Sequence, residues 1–269
     1  MLSIASLLEL LPSSILSFKL ETLKEKFLAG QIILIDKPLT WTSFDVVNKV
    51  RWLIKQEIDV KKIKVGHAGT LDPLATGLLI LCTGKFTKKI ETLQAQEKEY
   101  TGVITLGATT PSYDLEKPIE EEFPTNHITE SLIKEVATSF IGEQEQIAPM
   151  HSAKKIDGKR AYEYAREGEE VVIKSNLINI KTFDVELCNP PDYTPSDNVK
   201  INQEQPYDKG VHVKFQIVCS KGTYIRSIAR DFGEKLNSGG HLSQLRRTKI
   251  GEYAVENAIS INELNSLFE

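Results

Sequence analysis

Apolar positions along this chain follow two distinct periods. Val211, Val213, Phe215, Ile217 and Cys219 alternate with His212, Lys214, Gln216 and Val218, which predicts a half-buried strand. After the turn at 220–223 the spacing changes. Ile225, Ile228, Phe232 and Leu236 recur at helical intervals, predicting a helix over 224–236 that stops near the Gly239–Gly240 pair. Upstream, 30–38 reads as a buried strand ending at Lys37-Pro38. Thr42 or Ser43 then caps a helix with the stripe Phe44, Val47, Val50 and Ile54. Residues 66–77 form a loop with three glycines and a proline, entering the apolar run LLILCTG. A strand is expected over 100–106, ended by Gly107, and a helix over 127–142. A polar, irregular stretch (144–170) carries a short helical piece, AYEYARE, and a strand pair follows across 171–187. Residues 189–210, rich in Pro, Asn and Asp, read as a long loop or inserted hairpin tip. Without regular βαβ alternation the class is α+β, with a mixed, largely antiparallel sheet flanked by helices and loops.

Composition narrows the class further. With 269 residues, 41% hydrophobic and 26% charged, the chain fits a soluble globular protein of one large or two small domains. Disorder, collagen and a multi-span membrane protein are excluded. Cys82, Cys188 and Cys219 are far apart and have no C-x-x-C spacing, so neither a disulfide framework nor a zinc site is expected. The first eighteen residues are apolar but lack a basic start and are interrupted by Glu9 and Pro12; they read as an amphipathic helix or an extension outside the core.

The net charge of −4 conceals a strong asymmetry. Residues 61–89 carry six lysines against one acid, 154–166 five basic residues against two acids, and 221–249 seven against two. Acid concentrates in 112–145, with nine acids against two lysines. A fold that gathers the basic windows would present one positive face to a polyanion, whereas windows left apart are simply solvated surfaces.

Dinucleotide and phosphate-loop fingerprints, the G-x-S-x-G elbow and the H-E-x-x-H motif are all missing. Asp72 stands out in a loop shaped by Gly66, Gly69, Pro73 and Gly77, although by itself it reads first as an Asp-Pro turn residue. Arg226 lies in the first turn of the 224–236 helix, where the macrodipole disfavours a cation. That position suggests a carboxylate partner nearby; an arginine reaching to solvent fits as well. A carboxylate paired with arginine stays ionised and aimed, as a nucleophile must be.

The loop GHAGTLDPLATGLL (66–79) resembles the signature of the TruB-type tRNA pseudouridine-55 synthases. The resemblance continues in order through LIDKPLTWTS (34–43), KEYTGVITLG (98–107), QIAPMHSAKKIDGKRAYEYAREG (146–168), CSKGTYIRSIARDFG (219–233) and HLSQLRRTKIG (241–251). It implies a pseudouridine-synthase fold over 30–269, with 1–29 as an extension, 147–172 as an RNA-clamping insertion and 189–210 as an inserted loop. The tail beyond Gly251 is too short for the RNA-binding PUA domain that many members carry.

The resemblance also assigns roles. Asp72 is the catalytic aspartate, Tyr100 the tyrosine that stacks on the target base, and Arg226 the arginine paired with Asp72. Tyr224 and Leu245 line the uridine pocket, and His67 meets the unstacked RNA loop. Lys154, Lys155, Lys159, Arg160, Arg246 and Arg247 are RNA-contact candidates. Ala148 and His151 depart from the family's P-P-x-[YF]-S-A block. The expected substrate is the T-arm of transfer RNA, handled in the cytoplasm by a monomer without cofactor, metal, membrane or protein partner. Two other readings compete. A non-catalytic RNA-binding or tRNA-folding protein would leave Asp72 dispensable. A carboxylate-dependent hydrolase would need a second carboxylate, and no motif supplies one.

Overall fold

The structure, a computed structural model, describes residues 22–152, 154–169, 171–191, 204 and 207–268. The principal strands are β1 (Ile32–Lys37), β2 (Val65–His67), β3 (Ala75–Thr83), β4 (Lys98–Leu106), β5 (Gly142–Gln146), β6 (Asn176–Cys188), β7 (Val211–Cys219) and β8 (Gly240–Ile250). The principal helices are α1 (Ser43–Glu57), α2 (Glu130–Thr138) and α3 (Ile225–Lys235). The described residues form two compact units, one running up to Gln96 and resuming at Arg247, the other from Glu97 to Arg246.

In the first unit β1 runs antiparallel to β3, from Ile32 opposite Cys82 to Lys37 opposite Gly77, while Ile259–Ser260 pairs parallel with the other edge of β1. The apolar run of β3 is continuous because both of its faces are covered. Leu79 and Leu81 pack with Val46, Val47, Val50 and Ile54 of α1, whereas Leu78, Ile80 and Cys82 pack with Ala68, Leu93, Ile250 and Val255. Thr42 caps α1 in a reciprocal capping box with Asp45. Phe44, expected on the buried stripe, is 63% exposed. The apolar face is Val46, Val47, Val50, Leu53 and Ile54, and Ser43 turns inward in place of its neighbour.

In the second unit β4, β7, β6 and β5 form an antiparallel run in that order. Phe140, Phe183, Phe215 and Phe232 meet on one of its faces with ring centroids 5.6–6.1 Å apart, and Ile133, Ile225 and Ile228 are buried with them. The expected strand pair over 171–187 is instead one long strand, β6 (Asn176–Cys188), whose first half takes β5 as its partner. The helix expected over 127–142 is the shorter α2, because Gly142 opens β5 at φ +107°. The 189–210 loop lies mostly outside the described residues.

Candidate active site

The loop carrying Asp72 is fixed through its backbone. Five consecutive carbonyls, from Gly69 to Pro73, each accept a hydrogen bond. Arg247 donates to Gly69 O (Nη2, 3.1 Å) and Thr70 O (Nη1, 3.4 Å), and Ser43 Oγ to Leu71 O (3.1 Å). Ala75 N donates to Asp72 O (3.1 Å), and Thr40 N to Pro73 O (2.8 Å). Ser43 Oγ also accepts from Leu71 N at 2.8 Å, so one hydroxyl satisfies both main-chain groups of the residue before Asp72. Lys37 is fully buried; its ammonium donates to Pro38 O, Trp41 O and Pro73 O, which uses all three of its protons. Burial pulls the Lys37 pKa down to about 7, against the opposing charge of Asp72. The Asp72 side chain is half-buried on this scaffold. His67, half-buried at the end of β2, is held below the ordinary histidine pKa by burial.

The same unit carries a cavity of about 790 Å³ walled by Arg51, Lys55, Lys61, Lys62, Lys64, Lys85 and Lys88, with no acid among its lining residues. The basic window 61–89 is therefore gathered together with two cations of α1 into one concave, positive surface.

The second unit holds the remaining site residues. Tyr100 is 8% exposed on β4, opposite Ile217. Arg226 is buried in the first turn of α3. It donates to Ser112 O (3.1 Å) and His151 O (2.9 Å), and its Nη1 lies 3.6 Å from a carboxylate oxygen of Asp114, which is also buried. The cation at this helix start thus has a carboxylate beside it, as its position suggested, and within this unit that carboxylate is Asp114. Tyr224 caps α3 and is held by the side-chain amide of Gln146, which accepts from Tyr224 N (2.8 Å) and donates to Tyr224 O (3.1 Å). Leu245 is half-buried on β8.

A model of the TruB family pseudouridylate synthase N-terminal domain matches residues 55–225, and one of the tRNA pseudouridylate synthase B C-terminal domain matches 226–269. The chain belongs to the TruB family. A tRNA pseudouridine synthase B of Flavobacterium johnsoniae is 52% identical over 246 residues, covering 91% of this chain and 97% of that protein. Its counterpart in Chloroherpeton thalassium is 45% identical over 87% of this chain and 89% of that protein. Among solved structures, the crystal structure of a Cbf5–Nop10–Gar1 complex matches at 26% identity with a TM-score of 0.59, over 90% of this chain. This chain spans 55% of that solved chain.

For a TruB-family chain the residues divide cleanly. His67 and Asp72 lie in the first unit, and Tyr100, Tyr224, Arg226 and Leu245 in the second. Arg247 is corrected by the structure. It is 1% exposed and spends its guanidinium on Gly69, Thr70 and Leu78 carbonyls, so it has no surface to offer RNA. Arg246 is partly exposed. In the clamp segment Lys155–Ile156 pairs with Lys159–Arg160 across an Asp157–Gly158 turn with positive φ at both residues, a two-residue hairpin. Lys154 donates to Lys174 O and Asn176 Oδ1, Lys159 pairs with Glu167 and covers the Tyr164 ring, and Arg160 is exposed. The side chain of Lys155 lies outside the described residues. Asp114, Gln146 and Lys37 were not singled out by sequence, because nothing local distinguishes one buried acid among the nine of 112–145 or a glutamine used as a backbone clip.

Proposed function

We propose that this chain isomerises the uridine at position 55, in the T-arm of tRNA, to pseudouridine, with Asp72 driving cleavage of the glycosidic bond. Pseudouridine synthesis follows from family membership, and the tRNA from the names of its relatives. The observation that carries the catalytic assignment is Asp72 itself, a half-buried carboxylate on a backbone whose every carbonyl from 69 to 73 is occupied. Such a loop does not need to reorganise when charge develops on the substrate.

The target base must leave the stack of a folded RNA, at a cost of a few kcal/mol. Tyr100 supplies a replacement face, worth roughly 1–3 kcal/mol. The basic cavity grips phosphates, giving affinity without sequence information. Arg226 is the arginine that this reading pairs with the aspartate. The C–N glycosidic bond breaks, the uracil rotates, a C–C bond forms, and the carbon-bound proton passes to nitrogen. Nothing is added or lost, so the reading needs no cofactor or metal. The enzyme acts as a monomer in the cytoplasm.

Asp72→Asn tests this. Turnover of unmodified tRNA, followed by pseudouridine mapping, should vanish while tRNA affinity stays within about tenfold (~1.4 kcal/mol). Affinity of both proteins should fall steeply with salt, as counterion release from phosphates requires. Substantial activity in Asp72→Asn would leave an RNA-binding protein whose aspartate is a turn residue.

A further inference from the structure

Arg247 was expected at the RNA surface and is instead, among the described residues, the most deeply buried cation besides Lys37. Its guanidinium reaches both flanks of the Asp72 loop: Gly69 O and Thr70 O before the aspartate, and Leu78 O (Nε, 2.8 Å) after it. The approach is built into the sequence at Gly77, which has φ +102° and where an added Cβ would lie 2.3 Å from Arg247 O. No other residue fits there without pushing the Arg247 backbone away. Of the other anchors, Ser43 Oγ bonds both main-chain groups of Leu71, and Thr40 N and the Lys37 ammonium both bond Pro73 O. Beyond the β2–β3 ladder and the Ala68 N–Ile80 O bond that close the loop through the backbone, the Arg247 side chain ties its start to its end, with a planar fork that lysine cannot copy.

We propose that Arg247 is a positioning residue for the reaction: it clasps the two ends of the 69–78 loop and so sets where the Asp72 carboxylate stands. The clasp rests on the catalytic reading of Asp72, and it contacts neither substrate nor reacting atoms. Its fork suits the task, because the donors of one rigid plane hold three loop carbonyls at once, that of Leu78 in a buried bond.

The test compares Arg247→Lys, Arg247→Met and Ser43→Ala in the full chain, by single-turnover pseudouridine formation, tRNA affinity and thermal melting. All rates are read well below each melting temperature. The clasp predicts that Arg247→Lys lowers the single-turnover rate about 10²-fold with affinity changed less than threefold, on the scale that small misplacements of a reacting group cost. Arg247→Met should fall further. The combination with Ser43→Ala should be less than additive, because both act through one loop. A normal rate in Arg247→Lys beside a lowered melting temperature would make Arg247 a packing residue and overturn the proposal. So would a parallel loss of affinity and its salt dependence, which marks a phosphate contact, or the absence of any cooperative melting transition. Full activity in Asp72→Asn would instead remove the catalytic reading on which the clasp depends, and the Arg247 variants cannot mimic that result.

Discussion

The Asp72 loop and the clamp segment are both glycine-bearing surface connections, yet they are stabilised in opposite ways. The loop draws on side chains from distant parts of the chain, Lys37, Ser43 and Arg247, all buried and each donating to at least one of its backbone carbonyls. The clamp closes mostly on itself, through a two-residue hairpin, the Lys159–Glu167 pair and a small core of Ala148, Ala161 and Ile173. Fixing a backbone with buried, charge-assisted hydrogen bonds gives one geometry, whereas exposed ion pairs and a few small apolar contacts leave the local opening energy low. Chemistry needs the first arrangement, and accommodating a large folded substrate needs the second.

The sharpest way to break this contrast is at Arg226, which bonds the carbonyl of His151 at the base of the clamp. Arg226→Ala would remove the cation beside the buried Asp114 carboxylate, so a loss of about 3–5 kcal/mol is expected, with turnover abolished. Replacing both partners, Arg226→Met with Asp114→Leu, should recover much of the stability and none of the activity. Denaturant unfolding of the three variants measures it. If Arg226→Ala unfolds at the wild-type midpoint, the buried pair is not anchoring the clamp base.

How far the sequence reached is explained by the same distinction. The strand at 211–219 and the helix at 225–235 were legible because one face of each packs on a single apolar core, which writes its period into the sequence. Asp72, Tyr100 and Arg226 were singled out as candidates through family motifs. β5 was not, since an edge strand reading GEQEQ has no apolar alternation and its one buried residue, Gln146, is there to bond Tyr224. The inward turn of Ser43 escaped for a related reason: its hydroxyl serves a backbone 28 residues away. Long-range polar anchoring leaves no periodicity behind, and for that reason Arg247 was misread as a surface cation.

Lys37 offers a smaller effect that titrates. The unfolded chain holds this proton up to about pH 10.5, whereas the folded chain releases it near pH 7. Between those values the unfolded state carries more protons, so folding stability rises with pH across that window. The charged lysine's burial cost is felt in full below pH 7 and is relieved above it. Lys37→Met removes the titration. The stability of the wild type relative to this variant should therefore climb from pH 6.5 toward 9.5, as read from denaturant midpoints at several pH values. A difference that stays flat would mean the three carbonyl bonds hold the proton in place through this range.

The least energetic prediction concerns the clamp itself. Its base is tied: Arg226 bonds His151 O, Ser227 bonds Ile147 O, and Tyr162 N reaches back to Ser152 O. Beyond that, residues 155–167 have little to bury. Among the described residues the local core buries Ala148, Ala161 and Ile173, with Met150, Ile156 and Tyr224 partly buried against them, and Val172 is 89% exposed. Glu167 and Glu169, the acids that balance Lys159, are exposed. Ordering a backbone costs ~1–2 kcal/mol per residue, which such contacts barely offset without a partner. Amides of 155–167 should accordingly exchange with solvent much faster than those of 71–78 in the free protein, and become protected when tRNA binds. Hydrogen exchange resolved to short peptides, with and without tRNA, decides the matter. Strong protection of 155–167 in the free protein, unchanged by tRNA, would show a rigid hairpin and helix as firmly held as the Asp72 loop, and the contrast between the two regions would fall.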